Sequence, residues 1–105
     1  MSNKNYLRGV KIERTCMEEL KAEGYNVSRT SGSHGVYDVV AVKCGQVRFI
    51  QLKRLKKDVK TYKTPEDLVK FAEFLGYAGP NNDWTISCEL WIWLDRHSWR
   101  EKRLI

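Results

Sequence analysis

The segment "VYDVVAVKCGQVRFIQLK" (36–53) constrains the fold of this chain more than any other stretch. β-branched and aromatic residues dominate its two halves, 36–42 and 47–53, and "KCGQ" separates the halves as a tight turn. The pattern predicts two antiparallel strands of one sheet. Each strand also carries polar residues beside its apolar run: Asp38 begins the first run, whereas Gln51 and Lys53 interrupt the end of the second. Buried polar groups are costly without partners, so these three residues require an explanation.

Hairpin counting brings the three polar residues together. With "CG" as a two-residue turn, the numbers of every cross-strand pair sum to 89, which places Asp38 opposite Gln51. A four-residue turn gives the same pairing. Lys53 lies two residues farther on, on the same face, as a diagonal neighbour of Asp38. The hairpin therefore predicts an Asp-Gln-Lys cluster on one face of the sheet.

An amphipathic helix is predicted over residues 5–23, with Gly24 ending it. Residues at steps of four and three form one row along it, and this row is predicted to face the core. It contains a carboxylate, which is expensive in a core unless a cation or a hydrogen-bond donor receives it. The alternative is a Glu at the edge of the row that reaches water. The row consists of Tyr6, Val10, Glu13, Met17 and Leu20.

The remaining elements complete one small domain over residues 1–105. Thr64 is predicted as the N-cap of a second helix that ends at Gly76. The element order α-β-β-β-α-β-β predicts an α/β (α+β) fold with a central mixed sheet flanked by helices. Strand 89–94 is apolar on both faces, so one face is expected to be covered, either by the second helix or by a second subunit. The other predicted segments are a strand at 25–30, a loop at 31–35, a basic connector at 54–63, a loop at 78–83 and a strand at 99–105.

Charge and cysteine content limit the partners and the compartment. The net charge of +6 and the pI of about 9.3 allow an anionic partner such as nucleic acid, although a basic surface without a partner gives the same count. The three cysteines are odd in number and far apart, which argues against a disulfide framework or a zinc site. The start "MSNKNY" lacks the apolar core of a signal peptide, and no stretch approaches a membrane span. We therefore expect a cytoplasmic protein that does not bind membranes.

The polar residues carry a family resemblance. Glu13, Asp38 after a Gly-rich loop, and "QLK" (51–53) across a hairpin resemble the motif of the PD-(D/E)XK nuclease superfamily, which has the restriction-endonuclease-like fold. Residues 6–57 most resemble archaeal Holliday-junction resolvases and related small phage or virus nucleases, through "RGVKIERTCMEELKAEGYNVSRTSGSHGVYDVVAV". Two positions depart from the motif. Tyr37 replaces a proline that does no chemistry, and Gln51 replaces an acid, as it does in Mrr-type restriction nucleases.

The resemblance implies a metal-dependent DNA endonuclease that hydrolyses phosphodiester bonds in DNA recombination and repair. Its catalytic residues would be Glu13, Asp38, Gln51 and Lys53. Mg²⁺ (or Mn²⁺) would be held by Asp38, Gln51, the backbone carbonyl of Leu52 and Glu13, oxygen ligands of the kind that hard cations prefer. Lys53 would orient the attacking water or stabilise the phosphate. Because Gln51 is neutral, the side chains of the site sum to a charge of only −1, and we expect weak metal binding before substrate arrives.

DNA contacts are implied around this site, and the substrate would be a branched or junction DNA cut by a homodimer. Adjacent basic side chains of the connector, together with Arg96, Arg100, Lys102 and Arg103, are expected to extend a phosphate-binding surface. His34 is equally well explained as an exposed loop residue. The nucleic-acid-binding residues implied are Arg8, Arg29, Ser31, Ser33, His34, Arg54, Lys56 and Lys57.

Three other functions stay open at this point. The neutral Gln51 is compatible with a nuclease-like domain that has lost turnover and only binds DNA. A restriction- or repair-type nuclease acting on linear duplex DNA would use the same residues. A small interaction protein that uses Trp91, Trp93 and the basic face on a protein partner is the third.

Overall fold

A five-stranded sheet lies between two helices in the computed structural model of the chain, which describes residues 4–30, 36–77, 85–96 and 98–105. The predicted order of elements is confirmed. No helix in these ranges is long and apolar enough to cross a membrane. The elements are α1 (Lys4–Ala22), β1 (Asn26–Arg29), β2 (Val39–Lys43), β3 (Gln46–Leu55), α2 (Glu66–Tyr77), β4 (Thr85–Leu94) and β5 (Trp99–Leu104).

The sheet is mixed, as the sequence predicts. Its strands lie in the order β1-β2-β3-β4-β5, and all neighbours are antiparallel except β3 and β4. The parallel pair needs a crossover, which α2 supplies. Both central strands are longer than predicted, because β3 and β4 pair without interruption from Gln46↔Thr85 to Leu55↔Leu94.

The predicted hairpin register holds through most of β2 and β3. The ladder runs from Lys43↔Gln46 to Val39↔Ile50, so its pairs keep the predicted sum, and Gly45 turns the chain with a φ of 74°. The predicted pair of Asp38 with Gln51 does not form. Instead, the Asp38 N–H donates to the carbonyl of Ile50 (2.8 Å), the residue already opposite Val39. Two residues thus face one, as in a β-bulge, and this re-aims the Asp38 side chain.

Helix α1 covers one face of the sheet, but with a different row of residues from the one predicted. Cys16 and Leu20 are buried against Val39, Ala41, Ile50 and Trp91, and Ile12, four residues before Cys16, is buried as well. Of the predicted row, Leu20 is in the core, whereas Glu13 and Met17 are half-buried at its edge. The prediction went wrong because a free cysteine packs as a small apolar residue.

Helix α2 covers the opposite face through Leu68, which packs with Cys88, Leu90 and Ile92. Since Trp91 packs on the α1 side, both faces of the middle of β4 are covered by helices of this chain. The predicted N-cap is wrong: the Pro65 carbonyl accepts the first helical N–H groups. The Thr64 hydroxyl instead accepts a hydrogen bond from Arg103 (2.8 Å).

Candidate active site

An open pocket of about 270 Å³ lies where β2 begins and α1 passes β3. It brings together Glu13 from α1, Asp38 from the turn into β2, and Lys53 from β3. These are three of the four residues predicted to be catalytic. The other lining residues are Gly9, Val10, Ile12, Leu52 and Arg54.

A backbone hydrogen bond fixes the Asp38 carboxylate just before the start of β2. Its Oδ2 atom accepts the N–H of Leu52 (2.7 Å), in the place where a continuing β2 would have supplied a carbonyl. In an antiparallel ladder the N–H and the C=O of one residue serve the same neighbouring strand. The Leu52 carbonyl therefore faces the same side as the Asp38 carboxylate.

Several contacts hold the backbone segment that leads into Asp38. The Gln51 Nε2 donates to the carbonyl of Val36 (2.9 Å), and the Thr30 hydroxyl donates to that of Tyr37 (3.2 Å). The centroid of the Tyr37 ring lies 4.8 Å from that of Phe49 and 5.3 Å from that of Phe71 in α2. The residue that replaces the usual proline therefore anchors this segment by packing.

The fourth predicted residue, Gln51, is placed differently from the other three. It does not line the pocket, because its amide nitrogen is turned to Val36. Its Oε1 atom is buried and accepts no hydrogen bond from any residue that the structure describes. Unpaired buried acceptors are uncommon, and functional sites are one place where they occur.

Burial dominates the electrostatics of Asp38. It raises the pKa of the carboxyl above its usual value, while the hydrogen bond from Leu52 and the charge of Lys53 act in the opposite direction. A carboxylate in a cleft whose pKa is raised by burial is typical of functional sites. A further cation in the pocket would stabilise its ionised form.

Glu13 lies between two cavities. Its Oε1 atom is 3.6 Å from Nη1 of Arg29, and its side chain is 23% exposed against 58% for Arg29. A second cavity of about 550 Å³ shares Val10 and Glu13 with the pocket and runs along the outer side of α1. Its other lining residues are Arg14, Met17, Glu18, Lys21 and Arg29.

The predicted DNA-binding residues differ in how accessible they are. Arg54 lines the pocket, but its side chain is only 16% exposed and its Nε lies 3.6 Å from Asp95. Lys56 and Lys57 are exposed. The side chain of Arg8 lies outside the described part of the chain, as do the loop residues Ser31, Ser33 and His34.

Basic residues of β5 bind the connector. Arg100 pairs with Asp58 (2.7 Å), and Arg103 donates to the Tyr62 carbonyl (2.7 Å). Lys102 pairs with Glu19 (3.1 Å) and lies 4.1 Å from the ring centroid of Trp91. The contacts of Arg100 and Arg103 hold the chain between β3 and α2, whereas those of Lys102 join β5 to α1 and β4. The charge pattern did not distinguish these uses from phosphate binding. Arg96 is exposed.

Sequence reasoning missed two parts of the site. Gly9 lines the pocket one helical turn before Glu13, a relation that the spacing of four residues would have indicated. The Val36 carbonyl, which Gln51 binds, left no signal in the sequence because it belongs to the backbone. Within the described ranges, no three His, Cys, Asp or Glu side chains are grouped to hold a metal ion.

Comparisons with known proteins identify the family and the fold. The sequence model of the archaeal Holliday junction resolvase (Hjc) family matches residues 4–88, a span that includes Glu13, Asp38, Gln51 and Lys53. The fold is similar to that of Archaeoglobus fulgidus Hjc, a Holliday junction resolvase from an archaeal hyperthermophile, with a TM-score of 0.62 and 25% sequence identity. That match covers 90% of this chain and 73% of the other.

Proposed function

The chain belongs to the archaeal Holliday junction resolvase (Hjc) family, and we propose that it is a metal-dependent endonuclease that cuts Holliday junctions by recognising their branched shape. The observation that carries the proposal is the pocket that joins Glu13, Asp38 and Lys53. Resolvases of this family generally depend on a divalent metal. The finer assignments below, Mg²⁺ (or Mn²⁺), the residue roles and a homodimer, are parts of the same proposal.

The donor atoms around the pocket fit a hard divalent cation. Asp38 and Glu13 supply carboxylate oxygens, the Leu52 carbonyl faces the same side, and the Gln51 Oε1 is a buried acceptor with no partner among the described residues. Mg²⁺ prefers such oxygen ligands and keeps several waters. When bound, the ion would supply charge neutralisation for the phosphate and activation of a water. Two carboxylates beside Lys53 would hold the ion weakly, so we expect substrate phosphate to complete the site.

The chain's own groups then position the substrate. Lys53 donates hydrogen bonds to the phosphate oxygens, on which negative charge grows as the water attacks. Asp38 keeps its orientation because the Leu52 N–H holds one of its oxygens. Arg29, Arg54, Lys56 and Lys57 contact the DNA backbone on either side, together with Arg8, Ser31, Ser33 and His34.

A homodimer would let two such pockets cut two strands symmetrically. This chain supports the proposal through α2, where Phe74 is 67% exposed. We expect sedimentation equilibrium to give a dimer, and Phe74→Glu to shift it toward monomer while the far-UV circular dichroism is unchanged. A monomeric wild-type protein with full junction-cutting activity would remove the dimer from the proposal.

A cleavage assay tests the proposal. We expect a labelled four-way junction to be cut with Mg²⁺ or Mn²⁺ faster than a linear duplex of matched sequence. Asp38→Ala and Lys53→Ala should each lower the rate by about 10²-fold or more, a typical loss for groups that stabilise transition-state charge. Undiminished cutting by both variants would refute the residue assignment. Equal rates on junction and duplex would favour a restriction- or repair-type nuclease instead.

One observation favours a second candidate, a DNA-binding domain with weakened turnover. Gln51 occupies the position of an acid in the motif, so the pocket has one anionic ligand fewer. That candidate predicts junction binding without cleavage under any divalent cation. It also predicts that Gln51→Glu restores cutting without changing the affinity for DNA.

A further inference from the structure

Arg29 lies where the proposed metal site and the neighbouring cavity meet. Its partner in the ladder is Val39, whose side chain is buried on the α1 side, so Arg29 points to that side as well. Its backbone is fixed beside the pocket, since the backbone N–H of the next residue, Thr30, donates to the Asp38 carbonyl (3.0 Å). The guanidinium of Arg29 pairs with Glu13, one of the two carboxylates of the pocket.

We propose that Arg29 couples substrate binding to metal binding by exchanging Glu13 for a DNA phosphate. In the free protein the guanidinium neutralises Glu13 and opposes the entry of a divalent cation. A phosphate that enters from the neighbouring cavity gives Arg29 a better partner, because arginine binds phosphate through two hydrogen bonds. Glu13 is then released to the metal. Arg29 is thus a positioning residue that acts through Glu13, and the inference rests on the proposed nuclease function.

The charges around the cavity suit this exchange. Arg14, Lys21 and Arg29 line it together with Glu13 and Glu18, so the cavity is positive overall and becomes more so when Glu13 binds a metal. Arg29 is more than half exposed and can move, whereas Glu13 is largely enclosed. Coupling between two ligands is reciprocal, so metal must also tighten DNA binding through the same exchange.

The first experiment measures Mn²⁺ binding without DNA, by electron paramagnetic resonance of the free ion. We expect Arg29→Gln to bind Mn²⁺ about two- to fivefold more tightly than the wild type, the range expected for removing one partly exposed ion pair. Arg29→Lys should stay close to wild type, because it keeps the charge. Arg14→Gln is the matched control: Arg14 lines the same cavity and forms no ion pair within the described ranges. Equal gains in the two Gln variants would overturn the proposal, since they would reflect net charge alone.

The second experiment uses no metal. Binding of a fluorescent four-way junction in EDTA is measured by anisotropy for Glu13→Gln, Arg29→Gln and the double variant, with Glu18→Gln as the control for charge. We expect Glu13→Gln to tighten DNA binding more than Glu18→Gln does, and this excess to vanish when Arg29 is also replaced. An excess that persists in the double variant would overturn the exchange.

Failure of the proposed function is distinguishable from failure of this inference. A wild-type protein that binds no Mn²⁺ even in the presence of junction DNA would refute the metal dependence, and the EDTA experiment would still decide the exchange. A protein that binds metal but no junction would refute the substrate, and the Mn²⁺ comparison would decide. Absence of both kinds of binding would overturn the two proposals together.

Discussion

Replacing Gln51 with glutamate tests the most unusual feature of the site. The Gln51 Nε2 donates to the Val36 carbonyl at 2.9 Å, and an ionised glutamate has no proton to donate there. A buried acceptor left without its donor costs about 1–3 kcal/mol. For a domain of about 100 residues, each 1 kcal/mol lowers Tm by roughly 4–8 °C. We therefore expect Gln51→Glu to lower Tm by at least about 4 °C in metal-free buffer near neutral pH.

The pH dependence of this loss identifies its cause. Burial would raise the pKa of the new carboxyl in the folded state, and its protonated form can donate to the Val36 carbonyl. The Tm difference from wild type should therefore be small below the ordinary glutamate pKa of about 4.3 and should grow as the pH rises. Circular dichroism melts in EDTA across this range measure it.

Gln46→Glu is the matched control on the same strand. Gln46 is exposed, and among the described residues its side chain accepts one hydrogen bond, from the Tyr25 hydroxyl (2.7 Å), which a carboxylate also accepts. Its Tm should stay close to that of wild type. An equal loss in both variants, or none in Gln51→Glu, would refute the role given to the amide. We also expect Gln51→Glu to cut junctions more slowly, since the segment before Asp38 loses one of its contacts.

Three further expectations follow from burial and from the contacts of the connector. Asp38→Asn should raise Tm in EDTA at pH values above the range in which Asp38 titrates, because it removes a buried charge and keeps an acceptor for the Leu52 N–H. The gain in Tm should fade on acidification, and a lower Tm at neutral pH would contradict the expectation. A thiol reagent should modify Cys44 quickly and Cys16 slowly in native protein, since burial raises the pKa of Cys16 to about 12; mass spectrometry of the labelled thiols decides. Arg100→Ala should speed trypsin cleavage within the connector, and an unchanged digestion pattern would show that this arginine does not restrain it.

The register of the hairpin could be predicted because it depends on local rules. A two-residue turn and alternating side chains fix the pairs from Lys43↔Gln46 to Val39↔Ile50. The bend at Asp38 could not be predicted, because it depends on the bond of this carboxylate to the Leu52 N–H, beyond the regular ladder. The prediction of Thr64 as the N-cap of α2 failed for a similar reason. Arg103, some 40 residues away in the chain, binds that hydroxyl.

The site residues were predictable as a group but not in their individual roles. Periodicity and resemblance named Glu13, Asp38 and Lys53, and the pocket joins them. For Gln51 the motif predicts only a substitute for an acid. The geometry gives the amide a task that no carboxylate can perform at neutral pH, because its nitrogen donates to Val36 while its oxygen remains an acceptor.

The presence of an amide at position 51, in place of an acid, has a consequence for the order in which metal and DNA bind. Without an acid at position 51, the pocket holds the charges of Asp38 and Glu13, and Arg29 offsets the second of them. Under these proposals, such a site would attract a divalent cation weakly until a phosphate brings further negative charge and engages the arginine. A nuclease built in this way would acquire its metal together with its substrate. Activity would then depend steeply on metal concentration at low DNA, and less so when DNA saturates the protein.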